Sequence, residues 1–194
     1  MKIRNVCFST SDWRQRLEIF SSLIVLLALG FVFTNEFYQQ KMGVSCMPTT
    51  LRVRREIIGL IPGLVPGKIV ELGSGWGGIC FALARDFPDR AVVGIENSIF
   101  PYLFSLIRQK FQRIPNLTLR RMNFFKSDFR DTALTVCYLS NPIMKNLAQK
   151  FKTELPVNSI LISSTFFVPD WTPERIVDLE GRWNTRIFVY RKAA

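Results

Sequence analysis

The chain of 194 residues contains no histidine. That absence excludes a histidine general base, a Ser-His-Asp triad and the ordinary zinc sites, all of which draw on imidazole. Cysteine is scarce as well: Cys7, Cys46, Cys80 and Cys137 are scattered and none forms a C-x-x-C pair. Neither a metal knuckle nor a dithiol redox motif is spelled, and a reducing compartment suits such usage. Cys80 and Cys137 fall inside apolar runs and read as core residues. Acid is the third shortage. Fifteen Asp and Glu stand against 26 Lys and Arg, a net charge of +11, which favours anionic partners such as RNA or lipid headgroups.

What is abundant is apolar, and it is concentrated near the N-terminus. Lys2, Arg4, Arg14 and Arg16 precede Ile19–Phe33, a run without charge, with Trp13 and Tyr38 on its flanks as interfacial aromatics would be. Three readings compete: an uncleaved membrane anchor, a cleaved signal peptide and a buried helix. No small-x-small cleavage site follows, because Phe31, Phe33 and Phe37 crowd that region. The expectation is therefore a basic segment and single-pass anchor helix over residues 1–40, followed by one domain over 45–194. Lys41, Arg52, Arg54 and Arg55 follow the run, so the charge bias leaves its orientation open.

The domain is organised around Lys68–Gly78, answered by Ala91–Glu96. Ile69–Leu72 reads as a buried parallel strand that runs into a glycine-rich turn, and Ile79–Arg85 continues as an apolar helix. Glycines there let a ligand approach the main chain. The second run ends in Glu96, and a carboxylate at the tip of strand two is placed to accept both hydroxyls of a ribose. Gly73, Gly75 and Gly78 satisfy the dinucleotide pattern G-x-G-x-x-G, whereas Gly73, Gly75 and Gly77 satisfy G-x-G-x-G with Glu71 two residues ahead. A pyrophosphate gains nothing from that acid, since the charges repel. The acidic lead-in resembles motif I of the class I S-adenosylmethionine (AdoMet) methyltransferases.

The remaining chain alternates. Thr49 or Thr50 caps a short helix to about Leu60, and Pro62, Gly63, Pro66 and Gly67 then break the chain. Pro101 sits in the first turn of a helix that runs to Phe111. Strands are expected at Leu117–Met122, Ala133–Leu139 and Ser159–Phe167, with a helix over Ile143–Leu155. Arg175–Glu180 and Thr185–Tyr190 read as a closing hairpin around Gly181. The fold class is α/β: a Rossmann-like sheet of seven strands, parallel with a C-terminal antiparallel hairpin. No chain is left for the second domain a long NAD enzyme needs.

Taken together, Pro48-Thr-Thr, Glu71-Leu-Gly-Ser-Gly, Gly94-Ile-Glu96, Thr135–Leu139 and Phe166-Phe-Val-Pro-Asp-Trp-Thr-Pro173 resemble the small membrane-associated class I methyltransferases. That group is related to the mitochondrial protein-lysine methyltransferases and their bacterial relatives, and the likeness covers about residues 45–191. It implies AdoMet as cofactor, held by Glu71, Gly73, Ser74, Gly75, Gly77, Glu96, Asn97 and Asn123. It also implies a protein lysine as acceptor, on a membrane protein if the enzyme is tethered, and a catalytic domain on the cytosolic or matrix side where AdoMet is found. Two departures stand out. Trp76 replaces a small acid in the cofactor loop, and Asn123 stands where the group carries an Asp that reads the adenine amino group; an amide oxygen still accepts from that group.

Tyr138, Asn141, Asp170 and Trp171 are the candidate catalytic residues, because both of their segments follow strands at the edge where open α/β sheets bind ligands. Ser140-Asn-Pro142 is only a faint likeness to the loop of amino-group methyltransferases. Asp170 is placed to steer an ammonium and Trp171 to pack its alkyl stem. Arg108, Lys110, Arg113, Arg120, Arg121 and Lys126 crowd one region of sequence, which fits anionic lipid headgroups beside an anchor ahead of RNA. Two other functions stay open: an RNA methyltransferase, and a non-catalytic membrane-associated module that keeps the fold. No metal site is expected.

Overall fold

The computed structural model describes residues 10–42, 49–62, 67–180 and 184–193. Residues expected to matter but lying outside these are Lys2, Arg4, Cys7, Cys46, Pro48, Gly63, Pro66 and Gly181. The chain divides into two compact units, Met1–Met42 and Gly43–Ala194.

The first unit holds one helix, α1 (Thr10–Met42). Among the described residues, no helix is long and apolar enough to cross a membrane. This corrects the expected single-pass anchor, and with it the membrane localisation and the assignment of the second unit to one side of a bilayer. The physical reason lies in length. Ile19–Phe33 is 15 residues, about 22 Å at 1.5 Å per residue, whereas the hydrocarbon core is ~30 Å thick. Charged Arg14, Arg16 and Glu18 close it on the N-terminal side. The headgroup contacts expected of the basic residues leaned on that anchor and lose their basis.

The second unit alternates as the apolar runs dictate. Its elements are α2 (Leu51–Gly59), β1 (Lys68–Leu72), α3 (Cys80–Asp86), β2 (Val92–Glu96), α4 (Ile99–Gln112) and β3 (Leu117–Arg121). A 3₁₀ turn over Phe124–Lys126 leads to β4 (Thr132–Cys137), α5 (Asn141–Glu154), β5 (Ile160–Ser164), β6 (Arg175–Leu179) and β7 (Thr185–Arg191). The strands form one sheet in the order β3-β2-β1-β4-β5-β7-β6. β1 to β5 pair parallel, while β7 runs antiparallel to both β5 and β6. That is the seven-stranded sheet with a closing hairpin expected from sequence.

Central strands β1, β2, β4 and β5 are buried on both faces, which explains why they read as unbroken apolar runs. One core holds Ile57, Phe81, Leu83, Leu134 and Ile162, with Tyr102 and Leu106 of α4 against it. The other, across the sheet, holds Leu72, Phe129, Leu147, Phe151, Val168 and Tyr190. Local caps fix the joints. Thr50 Oγ1 accepts from the Val53 N–H at 3.3 Å to start α2. The Asn116 side-chain amide donates to the carbonyls of Ala84, Phe87 and Arg90 (2.9, 3.0 and 3.0 Å), tying the end of α3 to the start of β3. Cys80 and Cys137 are buried free thiols, as core residues should be.

Leu134 sits on the middle strand at 1% exposure. Leu134→Ala is expected to destabilise the second unit by about 2–5 kcal/mol through lost transfer energy and the cavity left behind. A urea titration followed by circular dichroism measures it.

Candidate active site

Motif I departs from a plain strand-to-helix join. The apolar helix expected over Ile79–Arg85 is α3, Cys80–Asp86, with Ile79 as its N-cap, and a glycine turn separates it from β1. Gly73, Gly75 and Gly77 take φ of 70°, 50° and 79°. At Gly77 the requirement is double: a Cβ there would also meet the Phe81 ring at 2.6 Å, and Phe81 is fully buried. At Gly75 a Cβ would meet nothing closer than the Gly73 carbonyl at 3.9 Å, so the loop stands open above it.

Two carboxylates hold this turn from opposite sides. Glu71, 5% exposed, accepts the Cys80 N–H at 2.7 Å and so satisfies a backbone donor at the start of α3. Glu96, 7% exposed at the tip of β2, accepts from Gly75 N–H at 2.8 Å and from Ser98 N–H at 2.6 Å. Behind the loop, buried Ser105 on α4 donates its hydroxyl to the Gly75 carbonyl at 3.1 Å. Gly73 and Ser74 donate to the Ile95 carbonyl, so the buried Ser74 is fixed by its backbone. Trp76 is turned onto α4, its ring edge-on to Phe104 at 5.2 Å, with Arg108 donating to its carbonyl.

The other expected residues lie along the same edge of the sheet, since β1 to β5 are parallel and all end there. Asn97 directly follows β2 and is half-buried. Asn123 follows β3; its side-chain oxygen accepts the Phe125 N–H at 2.9 Å and caps the 3₁₀ turn, which leaves that oxygen a second lone pair. Tyr138, just past β4, stacks on Phe166, just past β5, with ring centroids 6.0 Å apart and planes at 20°. Asn141 opens α5 and is exposed. Asp170 is exposed with φ of 61°. Trp171 packs edge-on to Tyr190 at 6.1 Å, and its buried indole N–H has no partner among the described residues.

The basic residues crowded in sequence are separated by the fold. Arg108, Lys110 and Arg113 belong to α4 and its C-cap, on the face with Phe81. Arg120 and Lys126 line a groove floored by Val70, Val93 and Ile95 on the opposite face.

Two participants went unnoticed in the sequence. Ser105 carried a signal, a polar residue on the inward side of an apolar helix. Tyr190 carried none, because a tyrosine in an alternating strand reads as core.

A family model for the ANTKMT methyltransferase domain matches residues 71–175. The chain belongs to that family. It is 29% identical over 177 residues to the mouse adenine nucleotide translocase lysine N-methyltransferase, covering 90% of this chain and 72% of the relative. A protein-lysine N-methyltransferase of Saccharolobus islandicus is 23% identical over 154 residues, covering 76% and 92%. Among solved structures, an RNA methyltransferase from Salinibacter ruber in complex with S-adenosyl-L-homocysteine superposes with a TM-score of 0.69 at 23% identity, over 76% of this chain and 94% of that one. At that identity the likeness establishes the fold alone. The protein is a class I AdoMet-dependent methyltransferase, and the open glycine loop braced between two buried acids fits that cofactor.

Burial pushes the Glu71 carboxyl up from an ordinary 4.5 to about 8, opposed by the Cys80 N–H and aided by the nearby Glu96. The folded state therefore binds this proton more tightly than the unfolded chain. Its stabilising contribution is complete below about pH 4.5 and is lost as pH rises through about 8. Without cofactor, stability is expected to fall between those limits by something on the order of 5 kcal/mol. Glu71→Gln should flatten that fall, as read by urea unfolding at a series of pH values.

Proposed function

We propose that this methyltransferase acts on the side-chain amine of a protein lysine. The observation that carries the reading is the aromatic wall past β4 and β5, where the half-buried Tyr138 and Phe166 rings stack. The names of the mouse and Saccharolobus relatives agree with it.

AdoMet supplies a methyl group already activated on a sulfonium, so the protein's work is alignment and control of protonation. Glu96 would hold the ribose hydroxyls, since its two oxygens are already oriented by Gly75 and Ser98. Gly73, Ser74, Gly75 and Gly77 would supply the close main-chain approach, with Glu71 toward the cationic amino-acid end and Asn97 and Asn123 toward the nucleoside.

On the acceptor side the ammonium must lose its proton before it can act as a nucleophile. An acceptor slot formed by Tyr138, Phe166 and Trp171 would lower an amine's pKa by withholding water from the charged form. Asp170, exposed at the loop's tip, draws the cation in. Asn141, at the head of α5, is assigned to the same acceptor side by its place after β4. An RNA acceptor is less favoured, because the basic residues lie on two faces of the sheet.

Glu96→Ala should weaken AdoMet binding by about 1–3 kcal/mol in calorimetric titration, the scale of hydrogen bonds to a charged group. Unchanged affinity in a folded variant would remove Glu96 from the cofactor site. For the acceptor, tritiated methyl groups from AdoMet are offered to total protein and RNA from cells lacking the enzyme. Label at lysine is expected by mass spectrometry, and label confined to RNA would refute the lysine reading. Asp170→Asn should raise the apparent KM for the acceptor more than it lowers kcat, since its charge acts on encounter.

A further inference from the structure

The loop between β5 and β6 adopts a conformation that its residues do not favour. Thr165 and Asp170, neither of them glycine, take φ of 70° and 61°, the first at its start and the second midway along it. Backbone of this kind persists only where its surroundings fix it. The near end is held by its own neighbourhood: Thr165 N–H donates to the Arg186 carbonyl at 2.6 Å and Ser163 Oγ to the Phe166 carbonyl at 2.5 Å. The far end is held by the Glu174 N–H, which donates to the Val189 carbonyl at 2.8 Å, and the middle by one residue of β7. Val168, fully buried, donates its N–H to the Tyr190 hydroxyl at 2.9 Å. Trp171 returns a hydrogen bond to the Val168 carbonyl at 3.3 Å and lays its ring edge-on against Tyr190.

Tyr190 is itself fully buried, so it stands behind the aromatic wall rather than in it. Burial raises its pKa and keeps the phenol neutral. A phenylalanine would fill nearly the same volume and continue the stack on Phe188. What the hydroxyl adds is an acceptor for a buried N–H that would otherwise have none.

We infer that Tyr190 is a positioning residue for methyl transfer, its hydroxyl fixing Val168 and thereby setting the Phe166 and Trp171 rings that receive the acceptor amine. The inference rests on the acceptor reading above. It gives the antiparallel hairpin a part in the reaction, since β7 carries the group that places the loop.

Tyr190→Phe removes one oxygen and keeps the ring. Incorporation of tritiated methyl into total protein from cells lacking the enzyme should fall about tenfold at saturating AdoMet, given that a misplacement of ~1 Å can cost ~100-fold. AdoMet affinity by calorimetry should stay unchanged, and the product lysines should shift toward the monomethyl form. A folded Tyr190→Phe protein with native incorporation and native product ratios overturns the inference. Phe166→Ala, run beside it, separates the two readings. If that variant loses incorporation while Tyr190→Phe does not, only the Tyr190 inference fails; if it matches the native protein, the acceptor wall fails and the inference with it. Should Tyr190→Phe not fold, amide exchange in the full native chain decides: the Val168 N–H is expected to exchange at least ~100-fold slower than that of Phe167, and equal rates overturn the proposal.

Discussion

A carboxylate held out of water beside a backbone N–H is the constraint on which the second unit depends. Glu71 is the fourth residue of β1, at the centre of the parallel sheet, and its oxygen meets the first N–H of α3. The strand-to-helix reversal thus costs no orphan donor at its tightest point, but it leaves a carboxyl whose ionisation burial opposes. A glutamine would make the same hydrogen bond without a titratable proton. The acid therefore suits a ligand that carries positive charge, and AdoMet does.

The same economy recurs one strand over. Glu96 braces the turn by holding the Gly75 N–H, and Ser105 holds the next peptide by donating to the Gly75 carbonyl. The loop is thus fixed by groups beneath and beside it while its upper side stays open. Trp76 is compatible with this arrangement because its ring goes sideways onto Phe104 of α4. A bulky residue at that position leaves the cradle's backbone geometry intact.

How much of this was legible follows from what each signal depends on. The sheet could be read because strands buried on both faces leave unbroken apolar runs, and the hairpin because Arg175–Glu180 and Thr185–Tyr190 alternate around Gly181. The cofactor followed from local spacing, since Glu71, the glycines and Glu96 act through the backbone within one βαβ unit. The membrane anchor was the error. Composition showed an apolar run, but a span requires length, and the charge-free stretch is too short to meet it. The basic cluster misled for a related reason: Arg108 and Arg120 are near in sequence, yet α4 and β3 send their side chains to opposite faces. Tyr190 was invisible because its partner, Val168, lies 22 residues earlier in the chain and is a backbone group.

These contrasts divide the sheet's carboxyl edge into two halves of different physical kind. Around β1 and β2 the geometry is set mainly by main-chain donors, carboxylates and positive φ, which tolerate little variation and serve one cofactor. Past β4 and β5 it is set by aromatic packing, Tyr138 on Phe166 and Trp171 on Tyr190, with the buried hydrogen bond from Val168 to Tyr190 pinning the middle of the loop. Ring contacts accommodate exchange of one apolar side chain for another more readily than a glycine turn accommodates a Cβ. On the acceptor reading proposed above, acceptor choice can therefore vary at the second half without disturbing the first. The antiparallel strand β7 serves the second half alone, because it pairs along β5 while presenting Tyr190 to the loop above it.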